Sequence, residues 1–208
     1  MLPYKYNEML IKQSILGLLL SAALLWGCGK SGNSAGDTLY AEGNYQQAVE
    51  AYSEQLKNYP KNEEVLYRRG RAYEELGNLE EAIADFEAAV KLDSKNTKFL
   101  LGLSNLYQKQ GKHERALLFA DRAVEVPGAP ATAYFMRARA LHQIGSTNEA
   151  LKEYNNTIKM DQNYGQAFYY RGVLKYATKD RRGACVDLKQ AETLGYNPAT
   201  KAIEKYCQ

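Results

Sequence analysis

LYRRGRAYEELGNLEEAIADFEAA, residues 66–89, decides how the chain folds. From Val65 to Leu76 the apolar residues Val65, Leu66, Ala72, Tyr73 and Leu76 recur at helical spacing, while Glu74 and Glu75 fall outside that stripe. Leu76-Gly77-Asn78 stops this helix, and a second one starts at Leu79 and runs to Leu92. Such a helical hairpin cannot bury both of its faces alone, so it needs neighbours of its own kind.

The rest of the sequence supplies them. Gly43, Gly77, Gly111 and Gly145 recur at a strict interval of 34, as do Ala48, Ala82, Ala116, Ala150 and Ala184. Gly36, Gly70, Ser104, Ala138 and Gly172 form a third row of small residues. Each lies 12 residues before one of those alanines, where two antiparallel helices approach closely only if both sides lack bulk.

This set resembles the tetratricopeptide repeat, in five units over roughly 29–62, 63–96, 97–130, 131–164 and 165–198. The second unit matches best, through Leu66, Gly70, Tyr73, Gly77, Ala82, Phe86 and Ala89. The resemblance implies an all-α, right-handed solenoid of helix-turn-helix units. Three departures carry expectations. Gly32 and Ala35 replace larger apolar residues, so the first helix of unit one should be short. Unit three has Ala120 at the usual aromatic position with Phe119 beside it. Unit five has Lys179 in place of the turn glycine, which predicts a turn built around Lys179-Asp180 rather than a left-handed glycine. Beyond the repeats, Asn197-Pro198 reads as a helix start, with Ala202, Ile203 and Tyr206 covering the last unit and Lys201, Glu204 and Lys205 facing water.

The chain opens with Lys5, Lys12 and one acid, Glu8, followed by the uncharged run from Ile15 to Gly27. At about 13 residues this run is too short for a hydrocarbon layer that needs roughly 20, and it reads as a signal-peptide core. It ends in Leu25-Trp26-Gly27-Cys28, which resembles the bacterial lipobox. That resemblance implies a signal peptide over 1–27 and a mature N-terminus at Cys28 carrying diacylglycerol and a further acyl chain. The same resemblance implies the outer membrane, because position 29 is glycine and not the aspartate that marks inner-membrane retention in the family. The expected layout is a lipidated tether over 28–34, a solenoid over 35–198 and a capping helix over 198–208.

With 208 residues, 45% apolar and 25% charged, the chain has ordinary globular composition. A net charge of +3 is too small for a phosphate-backbone binder, so nucleic acid is not an expected partner. Three cysteines, at 28, 185 and 207, and two histidines leave little for a metal site, and neither metal nor cofactor is expected. His113 opens a second helix and His142 ends a first one, each without a nucleophile at useful spacing, so no enzyme activity is expected. Glu80, Glu81, Asp85 and Glu87 read as a solvated acidic face. Cys185 and Cys207 fall where antiparallel helices bring them together, which allows either a disulfide or two buried thiols.

If the family register holds, positions five, nine and twelve of each first helix line a concave groove. These are Tyr67, Arg71 and Glu74; Leu101, Asn105 and Gln108; Phe135, Arg139 and His142; Tyr169, Val173 and Tyr176; with Tyr40 at the open end. Large aromatics and arginines at one surface fit recognition of an extended peptide. Tyr52, Tyr73, Tyr107 and Tyr154 are expected to pack between repeats, and Tyr67 and Tyr169 to face the groove. The family's carboxylate clamp is incomplete, since Asn105 matches one site but its lysine partner is missing. The expectation is a protein-binding lipoprotein scaffold on the periplasmic face of the bacterial envelope, its partner and oligomeric state unspecified. A subunit of an outer-membrane or pilotin-type assembly, or an enzyme accessory, are the rival readings.

Overall fold

Each 34-residue period folds into two antiparallel helices. The computed structural model describes residues 34–207; the apolar run, Gly32 and Cys28 lie outside the described residues. Unit one contains α1 (Ala35–Ala41) and α2 (Tyr45–Asn58); unit two, α3 (Glu63–Glu75) and α4 (Leu79–Leu92). Unit three contains α5 (Thr97–Lys109) and α6 (His113–Glu125); unit four, α7 (Ala131–Gln143) and α8 (Thr147–Met160). Unit five contains α9 (Gly165–Ala177) and α10 (Arg181–Thr193), capped by α11 (Pro198–Tyr206). The result is an all-α, right-handed solenoid. Among the described residues no helix is long and apolar enough to cross a membrane.

The hairpins close by one repeated device. In unit two Asn78 N–H donates to the Tyr73 carbonyl at 2.9 Å and Gly77 N–H to that of Glu74 at 3.1 Å, with Gly77 left-handed at φ +79°. Those two bonds satisfy carbonyls that the helix end leaves open. In unit five the same bonds recur, from Asp180 N–H to Lys175 and Lys179 N–H to Tyr176. Lys179 therefore adopts the left-handed conformation itself, at φ 70°, which corrects the expected substitute turn. The backbone bonds of the turn, together with the Asp180 carboxylate accepting from Gly183 N–H at 2.9 Å, hold a residue type that ordinarily avoids this region.

Small and large residues alternate across each hairpin. A Cβ on Gly70 would lie 2.5 Å from the Phe86 ring and 3.2 Å from the Ala82 carbonyl, and one on Gly36 would lie 2.5 Å from the Tyr52 ring. In unit three Ala120 stands in place of the ring, and the hydroxyl of Ser104 donates to the Ala116 carbonyl at 2.9 Å. The displaced aromatic, Phe119, stacks on Tyr107 at 5.6 Å. Tyr52, Tyr107 and Tyr154 are buried, as their spacing requires, whereas Tyr73 is half-buried beneath the Arg69 guanidinium.

Asp85 departs from the solvated acidic face assigned to it. It is only 6% exposed and accepts from Arg69 Nε at 2.8 Å and Nη2 at 2.7 Å. Arg69 also donates to the Ser53 hydroxyl of the preceding unit at 3.1 Å. A buried carboxylate is tolerated only with such pairing, so this acid is part of the packing between units rather than of the surface. Glu80, Glu81 and Glu87 remain exposed.

Candidate protein-binding groove

The positions that the register assigns to a groove are mostly half-buried and divide into two electrostatically different halves. At the open end Tyr40 packs edge-on against Tyr45 at 5.3 Å, and its hydroxyl donates to Glu75 at 3.2 Å. Arg71 lies beside it, with Nε 3.2 Å from Glu74 and Nη2 3.7 Å from Glu75. The Glu74 carboxylate, 7% exposed, also accepts from Asn105 Nδ2 at 3.0 Å and Lys109 Nζ at 2.6 Å. A cleft of about 220 Å³ between Asp37, Tyr40, Tyr52, Arg68 and Arg71 is likewise charge-matched. Arg68 reaches Asp37 at 2.5 Å and Glu64 at 3.0 Å.

Tyr67 is half-buried and stacks on Phe86 at 4.8 Å, with Phe99 at 5.2 Å and the Lys98 ammonium 4.8 Å over its ring. It is as much a packing residue as a groove residue. Gln108 is buried beside His113, whose Nδ1 lies 2.9 Å from the glutamine oxygen.

In the second half Phe135 is 3% exposed, so it belongs to the core and not to the groove surface expected for it. Tyr164 covers it at 4.8 Å, and Tyr170 and Tyr154 at 5.9 and 6.1 Å. Arg139 is half-buried, with its guanidinium 5.4 Å over the Tyr170 ring and 6.0 Å from that of Phe135. His142 is half-buried next to the Tyr154 hydroxyl, and burial holds its pKa below the ordinary imidazole value. Tyr169 lies 5.1 Å from Tyr196 and 5.2 Å from Tyr170, and burial pushes its phenol pKa up. Tyr176 packs on Tyr206 of the cap at 4.3 Å. Sequence register missed Tyr164, Tyr170 and Tyr196. The first precedes its helix, the second lies beside the chosen position five, and the third lies after α10, outside any first helix.

Comparison with known proteins bears on this arrangement. Family models described as tetratricopeptide repeat match residues 33–97, 75–127 and 131–164, together more than half of the chain. The chain belongs to the tetratricopeptide-repeat family. No curated protein sequence matches it. Among solved structures it is similar to MamA, at TM-score 0.71 and 23% identity over 80% of this chain and 97% of that one. It is also similar to YrrB, described as a TPR protein with an unusual peptide-binding site, at TM-score 0.68 and 23% identity over 81% and 88%. PilW, described as a widely conserved type IV pilus biogenesis factor, gives TM-score 0.70 and 17% identity over 76% and 74%. At these identities the likeness is one of fold.

As a tetratricopeptide-repeat protein, the chain departs from the carboxylate clamp in a way the structure explains. The amide of Asn105, the one matching position, is engaged by the Glu74 carboxylate. A peptide terminus placed there would face an acid.

Cys185 at the start of α10 and Cys207 after α11 are joined, with Sγ atoms 2.11 Å apart and Cα atoms 5.6 Å apart, so the disulfide alternative holds in this structure. Among the described residues no three His, Cys, Asp or Glu side chains gather closely enough to hold a metal ion.

Proposed function

We propose that this chain is a lipid-anchored scaffold that binds a protein or peptide partner along the groove. The observation that carries the reading is the second half of the inner face. There Arg139, Tyr169 and Tyr176 are half-exposed on successive first helices, the residue types that dominate interface energetics. The fold supports it, because rigidly stacked helices hold such side chains in a fixed array that an extended segment meets without reorganising it. YrrB, of the same fold, is described as having a peptide-binding site.

The anchoring part of the proposal rests on Cys28 after the apolar run. A single acyl chain binds a membrane reversibly, and the several chains of a mature lipoprotein hold firmly. In this reading Cys28 is the anchor point, and the scaffold works at the periplasmic face of the outer membrane. The scaffold catalyses no reaction in this reading; it supplies location through the lipid and selection through the groove.

A subunit of an envelope assembly is the second reading, favoured by the likeness to a pilus biogenesis factor. Crosslinking in intact cells, followed by purification in detergent, separates the two. A single partner at constant stoichiometry supports the assembly subunit, and several partners at variable ratio support the scaffold. Replacing Arg139 and Tyr169 by alanine should abolish capture in either case. Tyr67 is left intact in that experiment, because its stacking on Phe86 and Phe99 would confound folding with binding.

A further inference from the structure

Arg71 and Arg139 hold the same register position two units apart, on α3 and α7, yet their surroundings differ in one decisive respect. The turn after Arg71 supplies Glu74 and Glu75, at 3.2 and 3.7 Å, and these neutralise it within the protein. In α7 the same two positions hold His142 and Gln143. Burial lowers the His142 pKa, so the ring is neutral at neutral pH. Among the described residues Arg139 has no carboxylate within ion-pair distance.

What surrounds it instead is aromatic. The guanidinium lies over Tyr170 at 5.4 Å, and its charge is felt at the hydroxyls of Tyr154, Tyr164 and Tyr196. A half-buried guanidinium fixed by rings keeps its five donors in a rigid fork, and the fork's best complement is a carboxylate held by two parallel bonds. Rings alone compensate the charge only in part. Position nine therefore has a self-satisfied arginine in the first half of the groove and an arginine without a counter-ion in the second.

We infer that Arg139 is the anion-recognition point of the groove and takes the side-chain carboxylate of an Asp or Glu in the bound peptide, with Tyr169 and Tyr170 receiving its apolar neighbour. This rests on the groove reading above and gives it a ligand chemistry. A peptide carboxylate suits the position better than a free inorganic anion, because the tyrosine walls offer contact area that only a flanking side chain uses.

The test is peptide selection on the purified full chain in detergent, using random peptides displayed with their C-termini fused to the carrier, so that only side chains supply carboxylates. The expected result is one position enriched in Asp or Glu among peptides whose binding is lost in Y169A. A selected peptide should bind R139Q about tenfold or more weakly, the loss typical of a charge-assisted hydrogen bond. R139E should instead select Lys or Arg at that position. Peptides that depend on Tyr169 but show no acidic preference and bind R139Q unchanged would overturn this inference and leave the groove reading standing. Selection of no peptide dependent on Tyr169 or Arg139 would overturn both. Inorganic phosphate bound at Arg139 as tightly as the selected peptides would overturn the assignment to a peptide carboxylate.

Discussion

Arg69 holds Asp85 through two parallel bonds, 2.8 and 2.7 Å, and the same pairing sixteen residues apart recurs down the solenoid with matched substitutions. Unit five has Arg171 on Asp187 at 2.8 and 2.6 Å, and unit four has Arg137 on Glu153 at 2.7 Å. Unit three replaces both partners together, by Leu103 and Phe119. Each arginine also reaches the unit before it: Arg69 to Ser53, Arg137 to Asp121 and Arg171 to Asn155. Where Leu103 stands, the corresponding acid, Glu87, is taken by the Tyr107 hydroxyl at 2.7 Å.

The pairing predicts strong non-additivity. Arg69→Leu alone strands a buried carboxylate and should cost about 3–5 kcal/mol. Arg69→Leu with Asp85→Phe copies unit three and should recover most of that loss. Denaturant midpoints of the wild type, both single variants and the double variant check this. Additive losses would show that the pair is not a replaceable unit.

Lys179 offers a gain. A side chain in the left-handed region costs on the order of 1–2 kcal/mol, and the other four turns place glycine there. Lys179→Gly should raise stability by about 1 kcal/mol, offset in part by the greater freedom of glycine in the unfolded chain. A melting curve is enough to decide it.

The disulfide closes a sequence separation of 22 residues, for which chain entropy gives about 3 kcal/mol. Reduction should loosen α11 before the other helices, because α11 packs chiefly on α10. Hydrogen exchange of α11 amides with and without reductant reads this out, and intact mass reports whether the thiols are joined in protein kept oxidised.

His142 gives a pH dependence of definite sign. Its folded-state pKa is lowered by burial below the ordinary 6.5, so below 6.5 the unfolded chain binds the proton more readily. Stability from this group therefore rises with pH through that window, and is lost as pH falls from 6.5 towards the folded value. His142→Gln should flatten the slope there, measured by denaturation at a series of pH values.

Much of the fold is legible from the sequence because its determinants are periodic. A glycine at four of the five hairpin turns and an alanine row at each helix crossing mark the same backbone event every 34 residues. What escaped was chemistry that depends on the third dimension. Asp85 looks like any surface acid beside Glu80 and Glu81 until Arg69 is brought onto it. The signal was present in the matched changes at Arg69 and Asp85, Leu103 and Phe119, and Arg171 and Asp187. Phe135 follows the groove register but is covered by Tyr164, whose position before α9 no helical periodicity marks. Arg71 and Arg139 are equivalent in register, and only the residues one turn later separate their roles.

The central claim is that an envelope-anchored chain captures its partner through the second half of its inner face. The most direct measurement is crosslinking of the full chain in living cells, comparing wild type with Arg139→Ala/Tyr169→Ala and with Cys28→Ala. Crosslinked capture of partner protein, at variable ratio, is expected for the wild type. The groove variant should lose it while keeping its melting temperature, and Cys28→Ala should leave the membrane fraction. Unchanged capture by the groove variant would move the site to another surface, and Cys28→Ala remaining in the membrane fraction would contradict the lipid anchor.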